Sequence, residues 1–363
     1  MNKEIRINNN IISKDSSVYI VAEMSANHLM DYNRAVEIIH AAKEAGADAI
    51  KIQTYTADTI TIDSEKERFR IKQGTIWDGT TFYNLYKKAY TPWEWQPRLM
   101  EEAEKSGIDC FSSPFDLTAV DFMVKMNMPA IKIASFEIRD VGLIEKAALT
   151  KKTIIISTGI AKPEDIELAL DTCKKAGNND VILLKCTTAY PAPYEDMNLR
   201  VISDMSHRYG CLTGLSDHSL GDEVAVASVA LGAKMVEKHL IMSRSDGGPD
   251  AKFSMEPEEF KNMVNKIRNV EKALGSVDYS LSEKQKASRM HSRSLFVVKD
   301  ICKGEIFTTE NIRSIRPGYG LHTRFLPDIL GKRANRNIEK GTPFSIKMIE
   351  NIKPGSDIEV ILD

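Results

Sequence analysis

The sequence predicts an α/β protein: a (β/α)8 TIM barrel followed by a small, β-rich C-terminal domain. Three observations carry this. Short apolar, β-branched runs alternate with amphipathic helical stretches, eight times over about 270 residues, the size of one such barrel. Composition and charge shift near residue 284. The tail beyond that point holds a weak internal repeat.

The chain has 363 residues, 42% hydrophobic and 28% charged, with a net charge of -2. That is the composition of a globular protein, and it excludes collagen-like, disordered and disulfide-framework classes. No apolar run approaches the ~18 residues that a membrane span needs. The first residues, MNKEIRINNN, lack the apolar core of a signal peptide, so a cytoplasmic location is expected. Cys110, Cys173, Cys186, Cys211 and Cys302 are widely spaced without a CxxC pair, as reduced thiols would be.

The predicted strands, in order, are VYIVAE (18–23), DAIKIQ (48–53), DCFSS (109–113), AIKIAS (130–135), TIIIST (153–158), VILLKC (181–186), CLTGLS (211–216) and MVEKH (235–239). Stretches such as NRAVEIIHAAKEAG and PEDIELALDTCKKAG carry helical spacing between them, and Gly46, Gly107, Gly177 and Gly232 stand where helix C-caps belong. No GxGxxG follows an early strand, which counts against a dinucleotide fold. The segment 54–90 is too long for a simple βα loop, and long loops on a barrel serve the active site. An N-terminal hairpin (EIRINNNIISKDSSVYI) is expected to cap the opposite end. The barrel domain is assigned to 1–280, a linker to 281–292 and the small domain to 293–363.

Residues 1–284 carry 35 Lys and Arg against 42 Asp and Glu, whereas 285–363 carry 14 against 9. The basic tail reads either as a solvated face or as an arm that approaches an anionic ligand. Its excess is modest and no aromatics interleave it, so nucleic acid is not an expected partner. KDICKGEIFTTENI (299–312) and RNIEKGTPFSIKMI (336–349) share Ile-x-Lys-Gly-x-x-Phe-Ser/Thr, the mark of a duplicated turn in a small β module. Between the copies, SIRPGYGLH places Arg316 on a Pro-Gly loop.

Active sites of such barrels lie at the C-terminal ends of the strands. Those ends hold Glu23, Lys51, Gln53, Ser112, Ser113, Lys132, Ser135, Glu137, Ser157, Thr158, Lys185, Thr187, Thr188, Tyr190, Ser216, His218, Glu237, Lys238 and His239. A lysine inside Ile-Lys-Ile is costly unless its ammonium meets an anion or water. Several at equivalent positions point to one shared anionic ligand, with serines adding the donors a phosphate needs. His218 and His239 are one βα unit apart and suit a single divalent ion with open coordination positions. His28 either touches substrate or closes a turn. Two chemistries fit: a Schiff-base aldolase on one lysine, or a metal-assisted condensation of a phosphorylated three-carbon donor with an aldehyde. The spread of lysines, the serines and the histidine pair favour the second.

The motifs VAEMSANH, KIQTY, CFSSPFD, IKIASFE, ISTG, CTTAYPAP, GLSDHSLG, EKH, GGPD and SIRPGYG occur in the order found in the sialic acid synthase family, which the chain resembles over nearly its whole length. These are phosphoenolpyruvate-condensing enzymes that make nine-carbon nonulosonic acids. The resemblance implies a barrel followed by an antifreeze-like (SAF) domain, and a domain-swapped homodimer in which Arg316 reaches the partner's active site. SANH, DGGPDAKFSMEP (246–257) and RPGYGL are similar to the branch that makes pseudaminate from phosphoenolpyruvate, a 2,4-diacetamido-2,4,6-trideoxy-altrose and water; the same chemistry on N-acetylmannosamine or the legionaminate precursor is the alternative. The implied site has Lys51, Ser113, Lys132, Ser135, Ser157, Thr188 and Ser216 on phosphoenolpyruvate. Gln53, Glu137, Tyr190, Asp250 and Arg316 would contact the sugar. Glu23 would handle protons, and His218 and His239 would hold manganese, magnesium or cobalt. Thr188 stands where neuraminate synthases carry an asparagine.

Overall fold

The computed structural model describes residues 1–72, 74 and 76–351. The chain divides into two compact units, one from Met1 to Gly275 and one beginning at Ser276. The hairpin β1 (Glu4–Ile7) and β2 (Asn10–Ser13) comes first. Eight strands follow: β3 (Tyr19–Glu23), β4 (Ala49–Thr54), β5 (Asp109–Pro114), β6 (Ala130–Ile133), β7 (Thr153–Ser157), β8 (Val181–Cys186), β9 (Leu212–Asp217) and β10 (Met235–His239). They pair in parallel, in chain order, and β10 closes onto β3 to complete the expected barrel.

The helices read as one-sided. In α1 (Tyr32–Glu44) the buried residues are Ala35, Ile38, Ile39, Ala41 and Ala42, the 3.6-residue spacing that covers a barrel wall. Asp31 caps it by accepting the amides of Asn33 and Arg34. A short helix α2 (Ala57–Ile60) and α3 (Phe82–Ala89) lie within the long segment after β4. Helix α4 (Gln96–Ser106) ends at Gly107, whose φ of +71° is the left-handed cap position glycine favours. The remaining barrel helices are α5 (Leu117–Lys125), α6 (Val141–Leu149), α7 (Pro163–Lys175), α8 (Val201–Tyr209), α9 (Glu223–Ala230) and α10 (Pro257–Leu274). In α10, Phe260, Met263, Val264 and Ile267 form the buried stripe.

Two apolar layers result. One lies between strands and helices. The other fills the lower barrel with Tyr19, Val21, Ala49, Phe111, Ala130, Ile155, Ile182, Leu184, Leu212 and Met235. Ile5, Ile7 and Ile12 of the hairpin join that second cluster, so the hairpin plugs the end away from the mouth. Gly214 sits where a Cβ would come 2.3 Å from the Met235 carbonyl oxygen, so only glycine fits the interior there.

The second unit has its own core around Leu295, Val297, Phe307, Ile312, Ile338 and Phe344. Strands β11 (Ser294–Val297) and β12 (Ile312–Ile315) pair antiparallel. The two repeat copies meet at the Ile301–Ile338 bridge and the edge-to-face rings of Phe307 and Phe344. Residues 281–292, expected as a linker, carry helix α11 (Glu283–Arg289), capped by Ser282. No helix among the described residues is long and apolar enough to cross a membrane.

Candidate functional site

Strand alternation builds the floor of the mouth. Side chains two apart share a face, so each strand that fills the lower barrel ends in a polar group on the same side. Tyr19 and Val21 lead to Glu23, Ala49 to Lys51 and Gln53, Ala130 to Lys132, Ile155 to Ser157, Leu184 to Cys186, Leu212 to Ser216, and Met235 to Glu237 and His239. Register then places His239 beside Glu23, Glu23 beside Lys51, and Glu237 beside Ser216.

Lys51 Nζ lies 2.7 Å from Glu23 Oε2 and 3.5 Å from Glu237 Oε1. Lys132 Nζ approaches the same Glu237 oxygen at 3.5 Å. Ser216 Oγ donates to that oxygen at 3.0 Å, and Gln53 Nε2 donates to Glu23 Oε1 at 3.1 Å. Burial works against the charge on Lys51, but Glu23 and Glu237 outweigh it and hold its pKa above the ordinary lysine value. At Lys132 burial wins and the pKa falls, although Glu237 pulls it up. Burial lifts the Glu23 carboxyl to about 7 against the pull of Lys51. Glu237 goes the other way: burial opposes its charge, but the two ammoniums hold it down. The floor is therefore two buried cations sharing one firmly ionised carboxylate, with a second carboxyl poised to take a proton.

The imidazoles of His218 and His239 stand with ring centroids 5.4 Å apart. Tyr190 packs on His218 at 4.5 Å, and Phe253 on His239 at 4.8 Å. His218 Nδ1 faces the Thr187 carbonyl at 3.1 Å and the Cys186 sulfur at 3.8 Å. Burial and the neighbouring His218, Lys51, Lys238 and Lys132 drive the His239 pKa well down, which leaves its imidazole neutral. His239 Nδ1 is buried without a hydrogen bond and lies 4.0 Å from Asp250 Oδ2. Two close imidazoles, one with an orphaned nitrogen, fit a divalent ion whose other positions stay open to substrate and water. No group of three or more His, Cys, Asp and Glu side chains forms a metal site among the described residues.

These groups line a cavity of 1110 Å³. Its wall includes Glu23, Lys51, Gln53, Lys132, Ser135, Glu137, Ser157, Thr188, Tyr190, Ser216, His218, His239 and Asp250. Ser157 Oγ, Thr188 Oγ1, Glu137 Oε2 and Glu237 Oε2 are buried there without hydrogen-bond partners among the described residues. Unsatisfied buried polar atoms concentrated in one cavity mark a ligand's place. Gly159 lets Ser135 and Thr188 approach. A Cβ on it would fall 2.0 Å from Thr188 Oγ1 and 2.7 Å from Ser135 Oγ.

Several strand-end groups lie elsewhere. Ser113 is fully buried off the wall and accepts from Lys51 Nζ at 3.3 Å, so it backs the lysine. Ser112 faces outward onto Thr54 and the Ile52 carbonyl. Lys238 points away from the mouth into an ion pair with Asp217 at 2.6 Å. His28 closes its turn: Nδ1 accepts the Met30 amide and Nε2 meets Thr91. Burial pushes its pKa down to about 4. Arg316 belongs to the second unit, exposed on the loop after β12. Glu237 was named at its strand end without a role, and Cys186 was given no place in the site, yet both line the cavity. Their spacing of two from His239 and Leu184 was the signal.

The sequence matches the NeuB family over residues 38–279 and the SAF domain over 292–350. The chain belongs to the NeuB family. This is the sialic acid synthase resemblance that the motifs carried, and the second match covers the antifreeze-like module. Among relatives of this NeuB chain is a pseudaminic acid synthase of Campylobacter jejuni, 47% identical over 90% of this chain and 95% of that protein. A pseudaminic acid synthase of Helicobacter pylori is 46% identical over 91% and 97%. A crystal structure of N-acetylneuraminic acid (sialic acid) synthetase from Leptospira borgpetersenii, in complex with citrate, superposes with a TM-score of 0.70 at 32% identity. It covers 79% of this chain and 95% of that one.

Proposed function

We propose that the barrel mouth condenses phosphoenolpyruvate with 2,4-diacetamido-2,4,6-trideoxy-β-L-altropyranose, in its open-chain form, and water, to give pseudaminate and phosphate. The observation that carries this is the convergence of Lys51 and Lys132 on one carboxylate beside two imidazoles in a single cavity. The pseudaminic acid synthases at 46–47% identity over nine-tenths of the chain support the choice of sugar.

In this reading Lys51 and Lys132 hold the phosphate and carboxylate of phosphoenolpyruvate, with Ser135, Ser157, Thr188 and Ser216 as neutral donors and Ser113 bracing Lys51. Gln53, Glu137, Tyr190 and Asp250 orient the acceptor. Carbon 3 of phosphoenolpyruvate bonds to the aldehyde carbon, and the aldehyde oxygen takes its proton from the Glu23 carboxyl. The positive centre left at carbon 2 takes up water. Glu23, with its pKa near 7, accepts the proton released. The C–O bond to phosphate then breaks and leaves the 2-keto acid. His218 and His239 would hold a divalent ion, manganese, magnesium or cobalt, which when bound supplies Lewis-acid polarisation of a carbonyl oxygen. The reading includes a domain-swapped homodimer that delivers Arg316 to the partner's sugar, and a place in the cytoplasm, where phosphoenolpyruvate is made.

The test is phosphate release with phosphoenolpyruvate against a panel of acetamido sugars, with the product mass. The expected outcome is pseudaminate from the altro sugar. Release with N-acetylmannosamine or the legionaminate precursor alone would move the reading to those products. A second reading, amine attack on a ketone, draws on the lowered pKa of Lys132. Borohydride trapping of a substrate adduct on Lys132 would favour it.

A further inference from the structure

The cavity has two chemically different halves. Its floor is the charged ring described above. The segment after β4, which carries α2 and α3, contributes Ile60, Ile71, Phe82, Leu85 and Tyr86 to the same cavity. Of these only Ile71 is fully buried; the others are partly open. Tyr86 stacks on Phe82, 6.1 Å away at 18°, and meets Tyr55 edge-on at 5.6 Å, while Tyr55 meets Phe115 at 5.0 Å. These side chains add mostly apolar surface, with the hydroxyls of Tyr55 and Tyr86, to a cavity whose floor is charged. Uncovered apolar area grouped in a cavity has an occupant.

We propose that this wall reads the methyl groups of the acceptor, so that the enzyme selects a 6-deoxy, N-acetylated sugar over its 6-hydroxylated counterpart. The inference rests on the condensation proposed above. The aldehyde end must lie over the floor, where the imidazoles and lysines are. The rest of the sugar then extends beyond the strand ends, where the segment after β4 stands. A C6 methyl and the acetamido methyls bury against aliphatic and aromatic carbon there with gain. A C6 hydroxyl in the same place loses water and finds no partner on Ile60, Ile71 or Leu85. Apolar pockets reject an added hydroxyl by a factor on the order of 10² in kcat/KM.

The experiment uses the full-length protein, phosphoenolpyruvate and two diacetamido acceptors that differ only in a methyl or hydroxymethyl at C6. The wild type is expected to favour the deoxy sugar on the order of 10²-fold. Leu85→Gln and Ile60→Thr are each expected to shrink that ratio roughly tenfold, the change falling in KM. Thermal melts confirm which variants fold. Equal use of both acceptors by the wild type, or a ratio unmoved in a folded variant, overturns the role of the wall. Absence of phosphate release with every acetamido sugar would instead sink the condensation reading, and the wall with it.

Discussion

Lys51 Nζ and Glu23 Oε2 stand 2.7 Å apart, with the two side chains 4% and 1% exposed. Burial raises this carboxyl to about 7 even though the adjacent ammonium pulls it down. That suits a group that accepts a proton in one step and returns it in another. Glu23→Gln keeps the hydrogen-bonding shape but cannot accept that proton. The expected loss in kcat is about 10²- to 10⁴-fold, with a much smaller change in the KM for phosphoenolpyruvate. Steady-state phosphate release checks it, and a variant with full kcat removes Glu23 from proton transfer.

Glu237 has a different task. Its Oε1 is shared by Lys51, Lys132 and Ser216. Breaking a buried ion pair from one side leaves the other charge unpaired, at a cost of several kcal/mol. Glu237→Gln is therefore expected to lower stability by about 3 kcal/mol, read by urea unfolding. Added phosphoenolpyruvate should recover part of this, because its anionic groups take the place of the lost carboxylate. An unchanged midpoint would mean the two lysines do not depend on this carboxylate.

Glu137 gives a pH signature. Burial raises its carboxyl to about 7. An acid with a raised folded pKa binds a proton that the unfolded chain has already lost, so it stabilises less as pH rises from the unfolded value through about 7. The wild type should thus lose stability across that window relative to Glu137→Gln, which cannot titrate. Melting temperatures measured between pH 4.5 and 8 test this; parallel curves for the two proteins contradict it.

The fold was legible because barrel strands announce themselves. Runs such as TIIIST and VILLKC are apolar on both faces, and the helices between them keep a 3.6-residue stripe. The floor was legible where a charge interrupts such a run, as at Lys51 and Lys132. Strand ends alone did not separate inward from outward groups. Counting in twos from Met235 selects Glu237 and His239 and turns Lys238 outward onto Asp217. The same count from Phe111 selects Ser113 over Ser112, but a strand pattern does not tell exposure, and Ser113 is fully buried against Lys51 Nζ. His28 shows the other limit. The Met30 amide on its Nδ1, the contact of Nε2 with Thr91 and the packing on Trp95 make it a turn-closing residue.

Gly159 follows β7 at a close approach of three side chains. A methyl there would collide with Thr188 Oγ1 and Ser135 Oγ and crowd Cys186 Sγ at 3.1 Å. Gly159→Ala must push Thr188 and Ser135 out of line, while the barrel core stays intact. The expected result is at least a roughly tenfold rise in the KM for phosphoenolpyruvate with a loss of stability of about 1–3 kcal/mol. An unchanged KM would show that these two hydroxyls do not touch that substrate.

Arg316 can be tested without any structure of the assembly. If it acts on the partner's site, a chain with Lys51→Met and a chain with Arg316→Ala are each inactive alone. In a mixed dimer one site combines the intact barrel of the second chain with the intact arginine of the first, and the other site has both defects. Random mixing by co-expression makes half of the dimers mixed, so about a quarter of the wild-type sites should work. If the arginine serves its own barrel, no dimer contains a complete site and mixing restores nothing; if it serves none, the Arg316→Ala chain is active alone. Phosphate release from the co-expressed pair, compared with each variant alone, separates the two.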